Sequence, residues 1–236
     1  MSLLLYGPPG TAKTTIAERI AAELQWPLLK LDPSRLLSSG VDGIATEAEN
    51  LFELLPHLRN VVVLFDEFEG VFLKRASSVT DMSRFLTTSM LPRLHHLRDS
   101  ERIVFIIATN DRRAIDPAAY RPGRIDEHIE VGPPDGKAAL QIALNISRTV
   151  AKHVLPINAV GHGNNWDQLW EDIARRTSLI NKLDGLTPAY IVRWVDSIAL
   201  GFNSNYTVDM AIDELEGLKK RHADELSETQ REGYTR

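Results

Sequence analysis

Apolar positions along the chain follow two rhythms, and the change from one to the other divides it. In the first half, unbroken apolar runs of strand length alternate with stretches of helical spacing. Leu3-Leu4-Leu5-Tyr6 is the first run, and Ile16, Ile20 and Leu24 follow it at helical intervals with Ala17 and Ala21 beside them. Pro27 to Leu31 is a second strand candidate. Thr46 and Glu49 form a capping box ahead of Ala48, Leu51, Phe52 and Leu55, and Pro56 closes that helix. Val61 to Phe65 is wholly apolar, as a parallel strand buried on both faces must be. Met82, Phe85, Leu86 and Met90 predict a further helix, kinked or divided by Pro92. Ile103 to Ala108 and Ile125 to Val131 complete five strand candidates. This alternation predicts an α/β fold with a doubly wound parallel sheet.

Around Gly132-Pro133-Pro134-Asp135-Gly136 the period changes, and everything beyond reads as helix. Ala138 to Val150 is one helix. Asn165 with Gln168 predicts the start of another, carrying Leu169, Trp170 and Ile173. Thr187-Pro188 supplies a cap residue and a proline at the first helical position ahead of Ile191, Trp194, Val195 and Ile198. Thr207 opens a last helix along Val208, Ala211, Ile212, Leu215 and Leu218. Leu155 to Asn165, rich in Gly and Asn, reads as a loop, and the polar tail beyond Ser227 as a frayed end. Trp166, Trp170 and Trp194 fall at core spacing and are expected to pack rather than to bind. The expected domains are therefore an α/β domain over 1–134 and a helical domain over 135–236.

Composition narrows the classes. The chain has 236 residues, 43% hydrophobic and 25% charged, and a net charge of −5. That balance offers no basic footprint for nucleic acid or an anionic membrane. The one basic cluster, Lys219-Lys220-Arg221-His222, is interleaved with Glu214, Glu216, Asp224 and Glu225, as on a solvated helix face. There is no cysteine, which excludes disulfides, thiolate metal sites and thiol catalysis. No apolar run approaches membrane-spanning length, and no signal peptide precedes the first strand, so a cytoplasmic location is expected.

Four motifs carry the chemistry. Gly7-Pro8-Pro9-Gly10-Thr11-Ala12-Lys13-Thr14, with Thr15 after it, lies between the first strand and the first helix, where a phosphate-binding loop must lie. Its backbone N–H groups would cradle a polyphosphate, with Lys13 on the outer phosphates and the Thr14 hydroxyl on Mg²⁺. Ala12 stands where the pattern has its second glycine, which is expected to require a negative φ there. Asp66-Glu67 ends the third strand at the edge where open α/β sheets bind ligands. Asp66 would serve the Mg²⁺ shell and Glu67 would polarise the attacking water. Asn110 ends the fourth strand on the same edge, placed to orient that water or bond the γ-phosphate. Finally, Arg121-Pro122-Gly123-Arg124 holds two guanidinium groups on a rigid turn. That arrangement suits neither a core nor a base-reading element, and does suit a neighbouring subunit's triphosphate.

With these motifs in this order, the chain resembles the AAA family of ATPases from Leu3 to about Leu215. The resemblance implies a P-loop NTPase domain followed by a small all-helical lid, with ATP and Mg²⁺ as cofactors. It implies phosphate and Mg²⁺ contacts at Lys13 and Thr14, the second acidic motif at Asp66 and Glu67, and the first sensor at Asn110. Arg121 and Arg124 match the arginine fingers that act in trans. Gly185-Leu186-Thr187-Pro188-Ala189 stands where members carry a lid segment that contacts nucleotide. Members usually work as hexameric rings that remodel or thread macromolecules, so the expected function is ATP hydrolysis coupled to remodelling of a macromolecular partner or assembly; an unknown protein partner is expected. The alternative is a low-turnover, ATP-dependent assembly switch. Two positions depart from the family. Gly40-Val41 falls where an aromatic pore residue is usual, and Ile146 where a nucleotide-contacting histidine often stands.

Overall fold

The five strand candidates become five parallel strands in the computed structural model, which describes residues 1–31, 50, 53–66, 102–110, 125–153, 163–202 and 205–234. The chain divides into two compact units, Met1–Gly132 and Pro133–Arg236.

In the first unit, β1 (Ser2–Tyr6) leads through the Gly-rich loop into α1 (Lys13–Leu24). There follow β2 (Leu28–Leu31), a short 3-10 turn (Leu55–His57), β3 (Val61–Phe65), β4 (Ile103–Thr109) and β5 (Glu127–Glu130). The strand order is β2-β3-β4-β1-β5, and every neighbouring pair is parallel. All five residues of β3 are buried, whereas the edge strands β2 and β5 are largely open. This is the distribution that a sheet covered on both faces imposes on central and edge strands. Ala17 and Ala21 of α1 pack on Leu3, Leu5, Val62, Leu64, Ile106 and Ala108, with Ile16 and Ile20 at the margin. Small residues on the inner face of α1 let it lie close to the strands. Gln25, at φ 56°, ends α1, and the N–H of Trp26 donates to Ala21 O at 2.9 Å.

β5 is shorter than the run Ile125 to Val131 suggests. The N–H of Val131 still donates to Tyr6 O at 2.8 Å, but β1 ends there and Gly7 turns away, so the ladder has no partner to continue along. Pro56 falls inside the 3-10 turn, where its missing N–H breaks regular helix. The helices expected from Thr46 and over Met82 to Met90 lie outside the described residues, apart from the few residues leading into that turn.

Among its described residues, the regular elements of the second unit are helices: α2 (Gly136–His153), α3 (Gly163–Arg175), α4 (Thr177–Leu183), α5 (Pro188–Gly201) and α6 (Val208–Tyr234). Its centre is aromatic. The rings of Trp166 and Trp170 lie 5.9 Å apart, and Trp170 meets Trp194 edge-on at 5.6 Å. The Trp194 indole N–H donates to Ala211 O at 2.8 Å and that of Trp166 to Ser147 O at 3.3 Å, so these rings bury without stranding their polar edges. The three tryptophans pack, as their spacing predicts. Asp135 caps α2, its carboxylate accepting from Ala138 N at 2.8 Å, while Asp184 accepts from Gly136 N at 3.0 Å.

Four features of this unit differ from the pattern reading. α3 begins at Gly163, two residues ahead of the expected cap Asn165. α4 is an additional short helix, held by the burial of Leu179 and Leu183 one turn apart. The polar tail beyond Ser227 continues as helix to Tyr234. Thr187 precedes α5 with Pro188 in the first turn, but its hydroxyl makes no cap bond. Tyr190 and Ile191 N–H groups reach the Thr187 carbonyl instead. Thr207 does cap α6, accepting from Met210 N at 3.3 Å.

Candidate active site

The Gly-rich loop leaves β1 at the sheet's carboxyl edge. The chain leaves β1 toward β2 on one side of the sheet and leaves its neighbour β4 toward β5 on the other, and a crevice opens at such a switch point. Gly7 anchors the loop by donating to Thr109 O at 3.3 Å. Its φ is 149°, and a Cβ built there would meet Val131 O at 2.2 Å, so only glycine fits. Gly10 also holds a positive φ, 76°. Thr11 is buried and donates to Pro8 O at 2.9 Å, closing the turn from inside. Pro9 and Gly10 stand at its exposed rim.

Ala12 overturns one expectation. Its φ of 69° and ψ of 28° are left-handed, not the negative φ that a methyl favours. The loop keeps the backbone that its pattern serves and accepts the strain of a side chain. The first intrahelical bond of α1 runs from Ile16 N to Ala12 O at 2.9 Å, so the preceding N–H groups face the loop rather than the helix.

Lys13 is buried, and its ammonium curls into the loop. It donates to Gly7 O and Pro8 O, each at 2.8 Å, and approaches Thr11 Oγ1 at 3.4 Å. Thr14 Oγ1 donates to Asp66 Oδ2 at 2.6 Å. This contact joins two expected site residues that are 52 positions apart, because β3 ends at Phe65 and places Asp66 at the loop. Hydroxyl and carboxylate oxygens are the hard donors that Mg²⁺ takes, and a pair this close would both reach one small cation. These residues therefore fit Mg²⁺, which when bound would neutralise charge on the phosphates. Thr15 is exposed in the first turn of α1, and Asn110 is half-buried immediately after β4, next to the strand that carries the loop. Glu67, Arg121 and Arg124 lie outside the described residues.

The chain matches the profile of the "ATPase family associated with various cellular activities (AAA)" over residues 3–133. The chain belongs to the AAA family of ATPases. Curated relatives include the cell division cycle protein 48 homolog of Archaeoglobus fulgidus, 34% identical over 144 residues, which are 59% of this chain and 19% of that protein. A Corynebacterium diphtheriae protein named AAA ATPase forming ring-shaped complexes is 31% identical over 215 residues, 82% of this chain and 42% of its own. The proteasome-activating nucleotidase of Methanocaldococcus jannaschii is 34% identical over 143 residues, 59% of this chain and 33% of that protein. The chain thus spans a fifth to two fifths of the length of these AAA relatives.

Two further observations bear on AAA chemistry. Ile146, at the position where AAA members often carry histidine, is half-buried and packs on the helical core. Asp126, unremarkable in sequence, makes a set of bonds to Ser2: its Oδ2 accepts from Ser2 N at 2.8 Å and from Ser2 Oγ at 3.1 Å. Its own N–H reaches Ser2 Oγ at 3.0 Å and Ser2 O at 3.1 Å. Only its place two residues past Arg124 could have flagged it in the sequence. No described helix is long and apolar enough to cross a membrane.

Proposed function

We propose that this chain hydrolyses Mg²⁺-ATP at the Gly7–Thr14 loop and couples hydrolysis to remodelling of a protein partner or assembly. The observation that carries this reading is the 2.6 Å pair of Thr14 and Asp66 beside a loop whose backbone only glycine at position 7 permits. Loop N–H groups and α1 bind the phosphates, Lys13 turns from the loop carbonyls to the outer phosphates, and Asp66 and Thr14 hold the cation. Glu67, next after Asp66, accepts a proton from the attacking water, and Asn110 orients that water. The helical unit acts as the lid.

Arg121 and Arg124 act on a neighbouring subunit's triphosphate. Strand register supports this: Leu3 pairs with Glu127, so the chain enters β5 at the sheet edge opposite the phosphate loop. From Ser2 to Tyr6 is four residue steps, ~13 Å along a strand, a distance that separates Ser2, to which Asp126 is bonded, from the loop. The acting assembly is a hexameric ring of this chain formed with ATP; one AAA relative is named for ring-shaped complexes and another for activating a proteasome. Its location is cytoplasmic, and its partner is a protein rather than nucleic acid or membrane.

Glu67→Gln keeps the shape of the side chain and removes its basicity. Steady-state phosphate release should fall at least ~10²-fold while ATP still binds; unchanged turnover sinks the assignment of Glu67. Lys13→Ala should abolish ATP binding in a nucleotide titration. Mixing an Arg124→Ala chain with a Glu67→Gln chain should restore turnover, because one interface then pairs an intact glutamate with an intact arginine. Should mixed assemblies form and stay silent, action in trans is wrong. Wild-type chain that binds ATP but releases no phosphate as an assembly would instead identify a low-turnover switch.

A further inference from the structure

We infer that Asp126 is the positioning residue for the arginine that this chain lends to its neighbour. The inference rests on the trans reading of Arg124 and deepens it. Arg124 is separated from Asp126 only by Ile125, which is itself buried, so the chain is held from the residue after the arginine onward. What fixes it is a reciprocal clamp. One carboxylate oxygen, Oδ2, accepts from both the N–H and the hydroxyl of Ser2, and that hydroxyl in turn accepts from the Asp126 N–H. Ser2 is buried at the start of β1.

Because β1 is a buried strand that runs straight on into Gly7, the clamp ties the chain two residues past the arginine to the strand that carries this chain's own phosphate loop. Asp126 touches neither nucleotide nor water in this scheme. It acts only by setting where the guanidinium is presented. A misplacement of about 1 Å in a reacting constellation can cost ~10²-fold in rate, so a loosened root should be visible in turnover.

Asp126→Ala should lower kcat about ten- to a hundredfold with little change in KM for ATP, since the clamp holds the start of β1 and the loop leaves its other end. Asp126→Asn should be far milder, because the amide oxygen can take the place of Oδ2 and accept both Ser2 bonds. Ser2→Ala, which removes the hydroxyl and keeps the N–H, should fall between them and offers a second route if Asp126→Ala folds poorly. The deciding measurement is complementation. An Asp126→Ala chain mixed with a Glu67→Gln chain should regain turnover as the Arg124→Ala chain does, because the lesion lies in what is given to the neighbour. If Arg124→Ala is rescued by mixing and both Asp126→Ala and Ser2→Ala are not, the clamp merely supports its own subunit and the inference fails alone. If wild-type kcat persists in folded Asp126→Ala and Ser2→Ala, it fails as well. If Arg124→Ala is not rescued in proven mixed assemblies, the trans reading fails and this inference with it.

Discussion

Ala12 holds a left-handed backbone that a side chain resists by about 1–2 kcal/mol. Glycine relieves that strain but also loosens the unfolded chain, returning about 0.4–1 kcal/mol. The net expectation for Ala12→Gly is a gain of about 0.5–1 kcal/mol, read as a rise in the denaturant midpoint at constant slope. A lower midpoint would mean that the methyl makes favourable contacts that outweigh its strain. Gly7 sets the opposite case. Any Cβ there meets the Val131 carbonyl, so Gly7→Ala must shift the loop or β5, and both ATP binding and stability should fall. Part of the loop's geometry was legible from types and spacings: Thr14 meets Asp66, and Lys13 curls into the loop. The sign of φ at Ala12 was not, because the ring of phosphate-binding N–H groups dictates the backbone and the side chain must follow.

At the scale of elements, β1, β3 and β4 were legible because each is an almost wholly apolar run, while the edge strands β2 and β5 carry polar residues and were legible from their place in the alternation. α4 was not. It has seven residues with two buried leucines, too few to show a period, and it is held by its seat against the start of α2. A Cβ at Gly136 would lie 2.0 Å from Ile180 O, so α2 and α4 meet backbone to backbone. Gly136→Ala should cost about 1–3 kcal/mol in a denaturation curve, the range for overpacking, despite its better helix propensity. The Thr187 hydroxyl, buried without a hydrogen-bond partner and expected as a cap, shows the same limit: the residue type marks the helix start, while packing decides where its side chain goes.

Tyr206 adds a test in solution. Burial, and then the Glu214 carboxylate beside it, push its phenol well above the usual tyrosine range. Above pH ~10 the unfolded chain releases this proton and the folded chain keeps it, so stability falls as pH rises through that region. Below pH ~10 both states hold the proton and this residue adds no pH dependence. Tyr206→Phe should flatten part of the alkaline decline, measured as the denaturation midpoint against pH. A slope identical to that of the native chain would show that Tyr206 does not carry it.

For the whole molecule, the proposed trans role of Arg121 and Arg124 makes one copy an incomplete enzyme. In a parallel sheet the carboxyl edge binds the phosphates, and the strand that follows the arginine motif starts at the other edge. On the proposed reading a copy holds the nucleotide at the carboxyl edge, while Asp126 is bonded to Ser2 at the other, and head-to-tail association would satisfy both at once. Such heterologous contacts close into rings when the rotation permits. An arginine supplied in trans is worth about 10³–10⁵ in rate, so turnover per chain should be negligible in dilute solution. It should then climb steeply with protein concentration and level off once assembly is complete. The same titration with Arg124→Ala should stay flat even as scattering or native mass shows the complexes forming. Concentration-independent turnover by a species whose measured mass is that of one chain would overturn the shared site, and with it the reading of Arg121 and Arg124.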